Sequence, residues 1–288
     1  YHETEADAEN NVNEIVGEYN NIVAYEQTIF IRVEDSASDN DCASQLTLTL
    51  IVNDVPQINT EPSSLFLCDE NTDGFGIFDL TTSNEELLNG LDPSDFTITY
   101  YEAQDDAQNA LNAIVTPYNY TNTTAFNQFV WVRIENNTTA CYNVGSIELI
   151  INELPVLTQP TPLNLCDYNN SGDEVEGFTL EDSIGEVLQG QTGINISFHE
   201  SQEDADTAVN ALVSPYNNTA NAQTIYIRGE DEITGCYATI TLDLRVNPIP
   251  SPVAPEPIEE CDDDNDGFTF FTLETNEEEI INGELDIV

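Results

Sequence analysis

The chain repeats itself at a spacing of about one hundred residues, and this periodicity restricts its fold more than any other feature. Tyr1-His2-Glu3-Thr4-Glu5-Ala6-Asp7-Ala8 returns as Tyr100-Tyr101-Glu102-Ala103-Gln104-Asp105-Asp106-Ala107, and again as Phe198-His199-Glu200-Ser201-Gln202-Glu203-Asp204-Ala205. Leu67-Cys68-Asp69 returns as Leu165-Cys166-Asp167 and Glu260-Cys261-Asp262. A third block sets an aromatic two residues before an Arg and a Glu two residues after it: Phe30-Arg32-Glu34, Trp131-Arg133-Glu135 and Tyr226-Arg228-Glu230. Recurrence at a fixed period is the signature of one structural module used several times. Pro-rich joints at 53–62, 154–162 and 248–257 separate the copies. Because Pro fixes φ and lacks an N–H, such joints are short and fairly stiff. The expected division is the C-terminal half of a repeat at 1–55, complete repeats at 56–154 and 155–249, and the N-terminal part of another at 250–288.

Within one repeat, Leu65–Cys68 reads as a short strand and 69–74 as an acidic loop. A short helix is expected near Ser83–Asn89, with Gly90 as its C-cap. Phe96–Tyr101 alternates as a strand. Ala107, Leu111 and Ile114 at helical spacing predict a second helix over 105–114. Phe129–Glu135 and Ser146–Glu153 alternate strongly and are expected to pair as a hairpin. The fold class expected is therefore all-β: tandem immunoglobulin-like β-sandwich repeats with two short helices added to each.

The charge balance is extreme: 55 acidic residues against four Arg and no Lys, a formal net charge of −51. Nucleic acid and anionic lipid both require clustered basic residues, so neither is an expected partner. Divalent cations are. The regular apolar alternation argues against disorder, the usual consequence of so much charge. No apolar run reaches the length of a membrane span. Tyr1 falls in the middle of a repeating pattern, so the expectation is a piece of a longer exported protein. Six Cys without a C-x-x-C pair or His partners point to disulfides and an oxidising compartment.

Taken together, L-C-D-x-[DN]-x-D-G, then F-[DT]-L, [YF]-[YH]-E-[STA]-x-x-D-A, P-Y-N, V-R-x-E and a later Cys resemble a repeat of very large cell-surface adhesins of the Bacteroidota. SprB-type gliding-motility adhesins and other substrates of type IX secretion are examples. The resemblance spans essentially the whole chain. It implies an extracellular location at the bacterial cell surface and a stalk or adhesive role in attachment or gliding. It names no ligand.

Asp69-x-Asn71-x-Asp73-Gly74 and Asp262-x-Asp264-x-Asp266-Gly267 have the spacing of a calcium loop, in which alternate side chains turn towards one hard cation. The middle copy, with Asp167, Asn169, Ser171 and Asp173, is altered and two residues longer. An all-oxygen donor set favours structural Ca2+ over transition metals. An EF-hand would place Glu at loop position 12, where this chain has Leu80 or Leu273. Glu86, Glu186 and Glu279, which share one slot in the following helix, are the candidate extra ligands. The competing reading is an acidic β-turn.

Two regular cysteine pairings are open. One is within repeats, Cys68–Cys141 and Cys166–Cys236, with Cys42 and Cys261 paired outside the sequence. The other is across repeats: Cys42–Cys68, Cys141–Cys166 and Cys236–Cys261. The first is favoured, because the strand after Cys141 carries the chain away from it. Arg32, Arg133 and Arg228 are read as scaffolding, stacked on a neighbour and paired with carboxylates such as Glu102. The alternative is an aromatic–Arg patch for a glycan or acidic ligand.

His2 and His199 occupy the slot that holds Tyr101 in the central repeat, so neither is expected to be a general base. No nucleophile motif or phosphate loop is present, and no enzymatic activity is expected. Ser36, Ser183 and Thr207 lie in Asp-[Ser/Thr]-apolar tripeptides, candidate O-glycosylation acceptors in that lineage. The expected partners are neighbouring repeats, surface polysaccharide or other cells. The competing function is a carbohydrate-binding module array of a secreted enzyme.

Overall fold

The computed structural model describes residues 1–35, 42–264 and 266–283. The chain forms two compact units, Tyr1–Ile151 and Asn152–Val288.

The first unit opens with a helix, α1 (Glu5–Asn10), and a hairpin of β1 (Glu26–Glu34) and β2 (Ala43–Ile51). Then follow β3 (Leu65–Asp69), β4 (Ile77–Phe78), α2 (Asn84–Leu88), β5 (Phe96–Tyr101), α3 (Gln104–Asn109), β6 (Tyr120–Thr121), β7 (Asn127–Asn136) and β8 (Tyr142–Glu153). The second unit runs through the same order: β9 (Leu163–Cys166), β10 (Gly177–Phe178), α4 (Ile184–Leu188), β11 (Ile194–His199), α5 (Gln202–Thr207), β12 (Tyr216–Asn217), β13 (Gln223–Asp231) and β14 (Tyr237–Asn247). A further short helix, α6 (Glu277–Ile281), stands where a third copy of α2 belongs.

Each unit contains a four-stranded sheet, in the order β3-β8-β7-β5 in one and β9-β14-β13-β11 in the other. The two long central strands form an antiparallel hairpin, Glu135 opposite Tyr142 in the first unit and Glu230 opposite Tyr237 in the second. Strand β9 lies parallel to β14, with Leu163 opposite Leu244 and Cys166 opposite Asn247.

Alternation explains the sheet. In β8, Ile147, Leu149 and Ile151 point inward while their neighbours face out, as do Leu242, Leu244 and Val246 in β14. They pack with Val130, Val132 and Ile134, or with Ile225 and Ile227, beneath Phe78, Leu80 and Leu87 or Phe178, Leu180 and Val187. Each such side chain contributes about 1.5–3 kcal/mol of burial free energy.

The all-β class and the two layers are as expected, but the layers are unequal. The second layer is a two-stranded ladder, β4–β6 or β10–β12, completed by short helical turns. Tyr100, buried in the sheet, donates its hydroxyl to Asn84 and ties α2 down.

The helix expected over 105–114 is shorter. α3 stops where Ala110 and Asn112 turn left-handed, and Ile114 reaches the core from extended chain, its N–H bonded to Tyr100 O at 2.8 Å. The left-handed cap of α2 is Asn89, one residue before Gly90.

Candidate functional site

The recurring arginines are buried against the ends of the recurring helices. Arg133 Nη1 donates to the carbonyls of Ala107 (3.2 Å) and Gln108 (3.0 Å), two of the last carbonyls of α3. Its Nε and Nη2 hold Glu135 in a fork at 2.8 and 2.6 Å. Arg228 does the same with Ala205, Asp206 and Glu230. Their guanidinium planes lie 3.3 Å from the centre of the Tyr142 ring and 3.5 Å from that of Tyr237. Arg32 caps α1 through Ala8 and Glu9 and pairs with Glu34. The aromatic that Arg133 and Arg228 stack on is thus a tyrosine across the hairpin, not the residue two before the arginine.

Glu102 is not the arginine's partner. It accepts from Tyr120 Oη at 3.3 Å, and Tyr120 Oη accepts from Gln128 Nε2 at 2.7 Å. The same Gln–Tyr–Glu chain recurs as Gln223–Tyr216–Glu200 and Gln27–Tyr19–Glu3. The glutamine carbonyl in turn accepts backbone N–H groups of Thr123 and Thr124, of Thr219, or of Ile22 and Val23. His2 and His199 are buried, with Nδ1 donating to the carbonyls of Val12 and Val209. Tyr101 fills the same place in the central repeat. These side chains hold the repeat together.

A buried asparagine clamps each complete acidic loop, and nothing in the sequence pattern singled it out. Asn122 accepts from Gly76 N and donates to the carbonyls of Gly74 and Thr124. Asn218 accepts from Glu176 N and donates to the carbonyls of Glu174 and Ala220.

All three acidic loops are closed by one bond, from the Gly N–H to the first Asp: Gly74 to Asp69 (2.9 Å), Gly172 to Asp167 (2.5 Å) and Gly267 to Asp262 (2.6 Å). Each Gly is left-handed, and at Gly74 a Cβ would also meet Ala125 Cβ at 2.9 Å. Asp69 and Asp262 accept a second N–H, from Asp73 and Asp266. Asp73 and Asp266 then cap the chain through Phe75 N and Phe268 N. In the third loop, oxygens of Asp262, Asp264 and Asp266 lie within 4.8 Å of one another, a donor set suited to a hard divalent cation. Donation from the backbone N–H of Gly267 holds the Asp262 carboxyl below the usual carboxylate range.

The middle loop differs. Asn169 gives its side-chain N–H₂ to Glu176, and Asp173 accepts from Val175 N. Ser171 takes the position held by Asp73 and Asp266.

Glu86, Glu186 and Glu279 are not at the loops. Glu86 accepts from Ser63 N at 2.9 Å and Glu186 from Thr161 N at 2.7 Å, while Glu279 accepts from Glu256 N at 3.2 Å. They pin the Pro-rich joint onto the repeat that follows it, so their carboxylates are spent on the joint's backbone.

The within-repeat disulfides are not made: Cys141 and Cys166 are free, as are Cys42 and Cys261, whereas Cys68 and Cys236 are each disulfide-bonded. The across-repeat set is excluded by the same thiols. The reason is the strand between them. Cys166 pairs with Asn247 at the end of β14, while Cys236 precedes its first residue. Over 11 residues that is about 35 Å, where a disulfide allows about 7 Å between Cα atoms. In the first unit, Ser146 N donates to Thr60 O and Ser64 Oγ to Glu148, so the chain entering β3 runs alongside β8 in the same direction. Cys68 is thereby carried away from Cys141.

Ser183 is 2% exposed and donates to Leu180 O, which closes it to a glycosyltransferase. Thr207 is exposed at the end of α5, its hydroxyl donated to Glu203 O. Ser36 lies outside the described residues. Among the described residues no helix is long and apolar enough to cross a membrane.

Among solved structures the chain is similar to Drosophila N-cadherin EC1-4 (11% identity, TM-score 0.21, covering 80% of this chain and 60% of that one). It is similar also to protocadherin gamma B2 extracellular cadherin domains 1-5 (14% identity, TM-score 0.21, 81% and 48%). A third is BT4661, a SusE-like surface located polysaccharide binding protein of Bacteroides thetaiotaomicron (8% identity, TM-score 0.27, 77% and 43%). The chain thus spans between about two fifths and three fifths of the length of these structures. No curated protein matches it. One family model matches at residues 1–56, 64–155 and 162–250, most of the chain, and on that ground the protein belongs to the Flavobacterium inter-domain disulphide bond domain family.

Proposed function

We propose that this chain is a load-bearing, non-catalytic segment of a secreted surface adhesin or filament of the Bacteroidota, of the type that acts in attachment or gliding. Its repeats are spacers, linked covalently to one another and stiffened by calcium in the acidic loops. One observation carries the reading: Cys166 and Cys236 stand at opposite ends of one long strand pair, so the bond at Cys236 joins its repeat to something else. A bridge within a repeat protects that repeat; a bridge leaving it transmits tension along a chain of them. In this reading, an edge-strand cysteine of one repeat pairs with the hairpin cysteine of another. The recurring Arg, His, Tyr and Gln side chains, all consumed in internal bonds, support a scaffold over a catalyst. The exposed Thr207 remains an acceptor candidate for O-glycosylation.

The test is force spectroscopy of the oxidised and reduced polypeptide, with non-reducing peptide mapping beside it. Bridged pairs of edge-strand and hairpin peptides from different repeats are expected, with shorter extension per unfolding event before reduction than after. Identical extension in both states would remove the proposal. A glycan array showing binding by intact repeats would replace the spacer with the carbohydrate-binding alternative.

A further inference from the structure

The carboxylate of Asp167 is 2% exposed, and its Oδ1 has no hydrogen-bond partner. It is the only such orphan among the described residues. Its counterparts Asp69 and Asp262 each satisfy both oxygens with backbone N–H groups. A buried carboxylate oxygen without a donor is costly, and a neighbouring charge makes it more so.

A second buried carboxylate lies in the same loop. Glu176, 6% exposed, stands in the same loop, where the first unit has Gly76. It is drawn inward by N–H groups of Tyr168 (2.6 Å) and Asn169 (2.7 Å) on Oε1 and by Asn169 Nδ2 on Oε2. One short loop therefore buries two carboxylates. No basic side chain can neutralise them: the chain has no Lys, and its four Arg pair with Glu34, Glu135, Glu230 and Asp243.

We infer that the middle loop, the least regular of the three in sequence, is a built site for a hard divalent cation. Asp167 Oδ1 is a direct ligand, and Glu176 supplies the second negative charge. The inference rests on the proposal that these loops take calcium. It adds that the strongest demand lies at Asp167, with Glu176 as a participant from outside the Asp-x-Asn-x-Ser spacing. Oxygen donors of this charge select calcium over softer metals.

Tyr168 provides the readout. It is exposed, follows Asp167 directly, and is the one tyrosine in any of the three acidic loops. Terbium, a hard ion that substitutes for calcium, emits when a tyrosine beside it is excited. The full chain is titrated with terbium chloride under tyrosine excitation, then with calcium chloride as competitor, and calcium binding is measured separately by calorimetry. Tyr168→Phe should remove most of the emission yet retain calcium binding. Asp167→Asn should remove the emission and one calorimetric site, while Asp262→Asn leaves the emission. Glu176→Gln keeps a carbonyl for Tyr168 and Asn169 to bond, so the loop stays folded, and calcium should bind about tenfold more weakly. If calorimetry detects no calcium at any loop, the calcium proposal falls. If calcium binds and Asp167→Asn with Glu176→Gln changes neither emission nor heat, this site falls and the Asp167 oxygen is met by water.

Discussion

The loops after β3 and β9 occupy the same place in two copies of one repeat, yet they resolve the same electrostatic difficulty differently. Asp69 is buried and closed: its two oxygens accept from Asp73 and Gly74, and Gly76 adds no charge. Asp167 is equally buried and left open on one oxygen, and the same loop buries a second carboxylate, Glu176, bonded to Tyr168 N. In the regular loop backbone N–H groups satisfy both oxygens of the first aspartate; in the irregular one they leave an oxygen open.

The frameworks around the two loops should respond alike, and the loops should not. Arg133→Lys and Arg228→Lys should each cost about 2–3 kcal/mol in denaturant unfolding, since Lys loses the fork, the helix carbonyls and the stacking at once. Arg32→Lys should cost less, because Ala43 stands in its repeat where Tyr142 and Tyr237 stand in the others. A full-sized loss at Arg32 would mean that the ring contributes nothing. Next in size, Asn122→Ala and Asn218→Ala should each cost about 2 kcal/mol, by stranding buried backbone groups of the loop. Unequal losses there would break the equivalence of the two clamps.

The difference between the loops should appear in calcium. With affinities of about 10⁻⁴–10⁻³ M, 10 mM calcium should stabilise a binding unit by about 1.4–2.7 kcal/mol over chelator, read as a rise in melting temperature. Glu176→Gly, which copies Gly76, should reduce that rise; an unchanged rise would leave the comparison without content.

The smallest expected effect is in acid. N–H donation, foremost from the Asn169 backbone, holds the Glu176 carboxyl below the usual glutamate range. A lowered folded value gives stability that is present above the unfolded value, about 4.3, and is lost as pH falls through the folded value. The stability gap between wild type and Glu176→Gln should thus be open at pH 6 and close below about pH 4. A gap independent of pH would show that Glu176 acts by shape alone.

Much of the fold was legible. The alternation of β7, β8, β13 and β14 and the strand at Phe96–Tyr101 follow from local sequence. The site was less so. The matching Pro-Tyr-Asn tripeptides mislead: the tyrosine equivalent to Tyr216 is Tyr120, two residues past the one in the motif, and Tyr118 is exposed. The recurrence of Gln27, Gln128 and Gln223 near the start of their strands was the available signal for the Tyr–Glu chain, but a glutamine seldom identifies its partner. Glu86, Glu186 and Glu279 share a slot for a shared reason, the joint, which spacing alone could not separate from a loop ligand.

What the sequence determined by itself is periodic: the repeat, its β character, its turns and its charge, because side-chain alternation and Gly or Asn in left-handed positions act over a few residues. What the tertiary structure decided is every pairing across long separations. Cys166 and Cys236 are kept apart because β9 lies parallel to β14 at its far end, and no count of cysteines contains that direction. Asp167 is short of a partner because burial and the longer loop act together, and burial is a property of the folded chain.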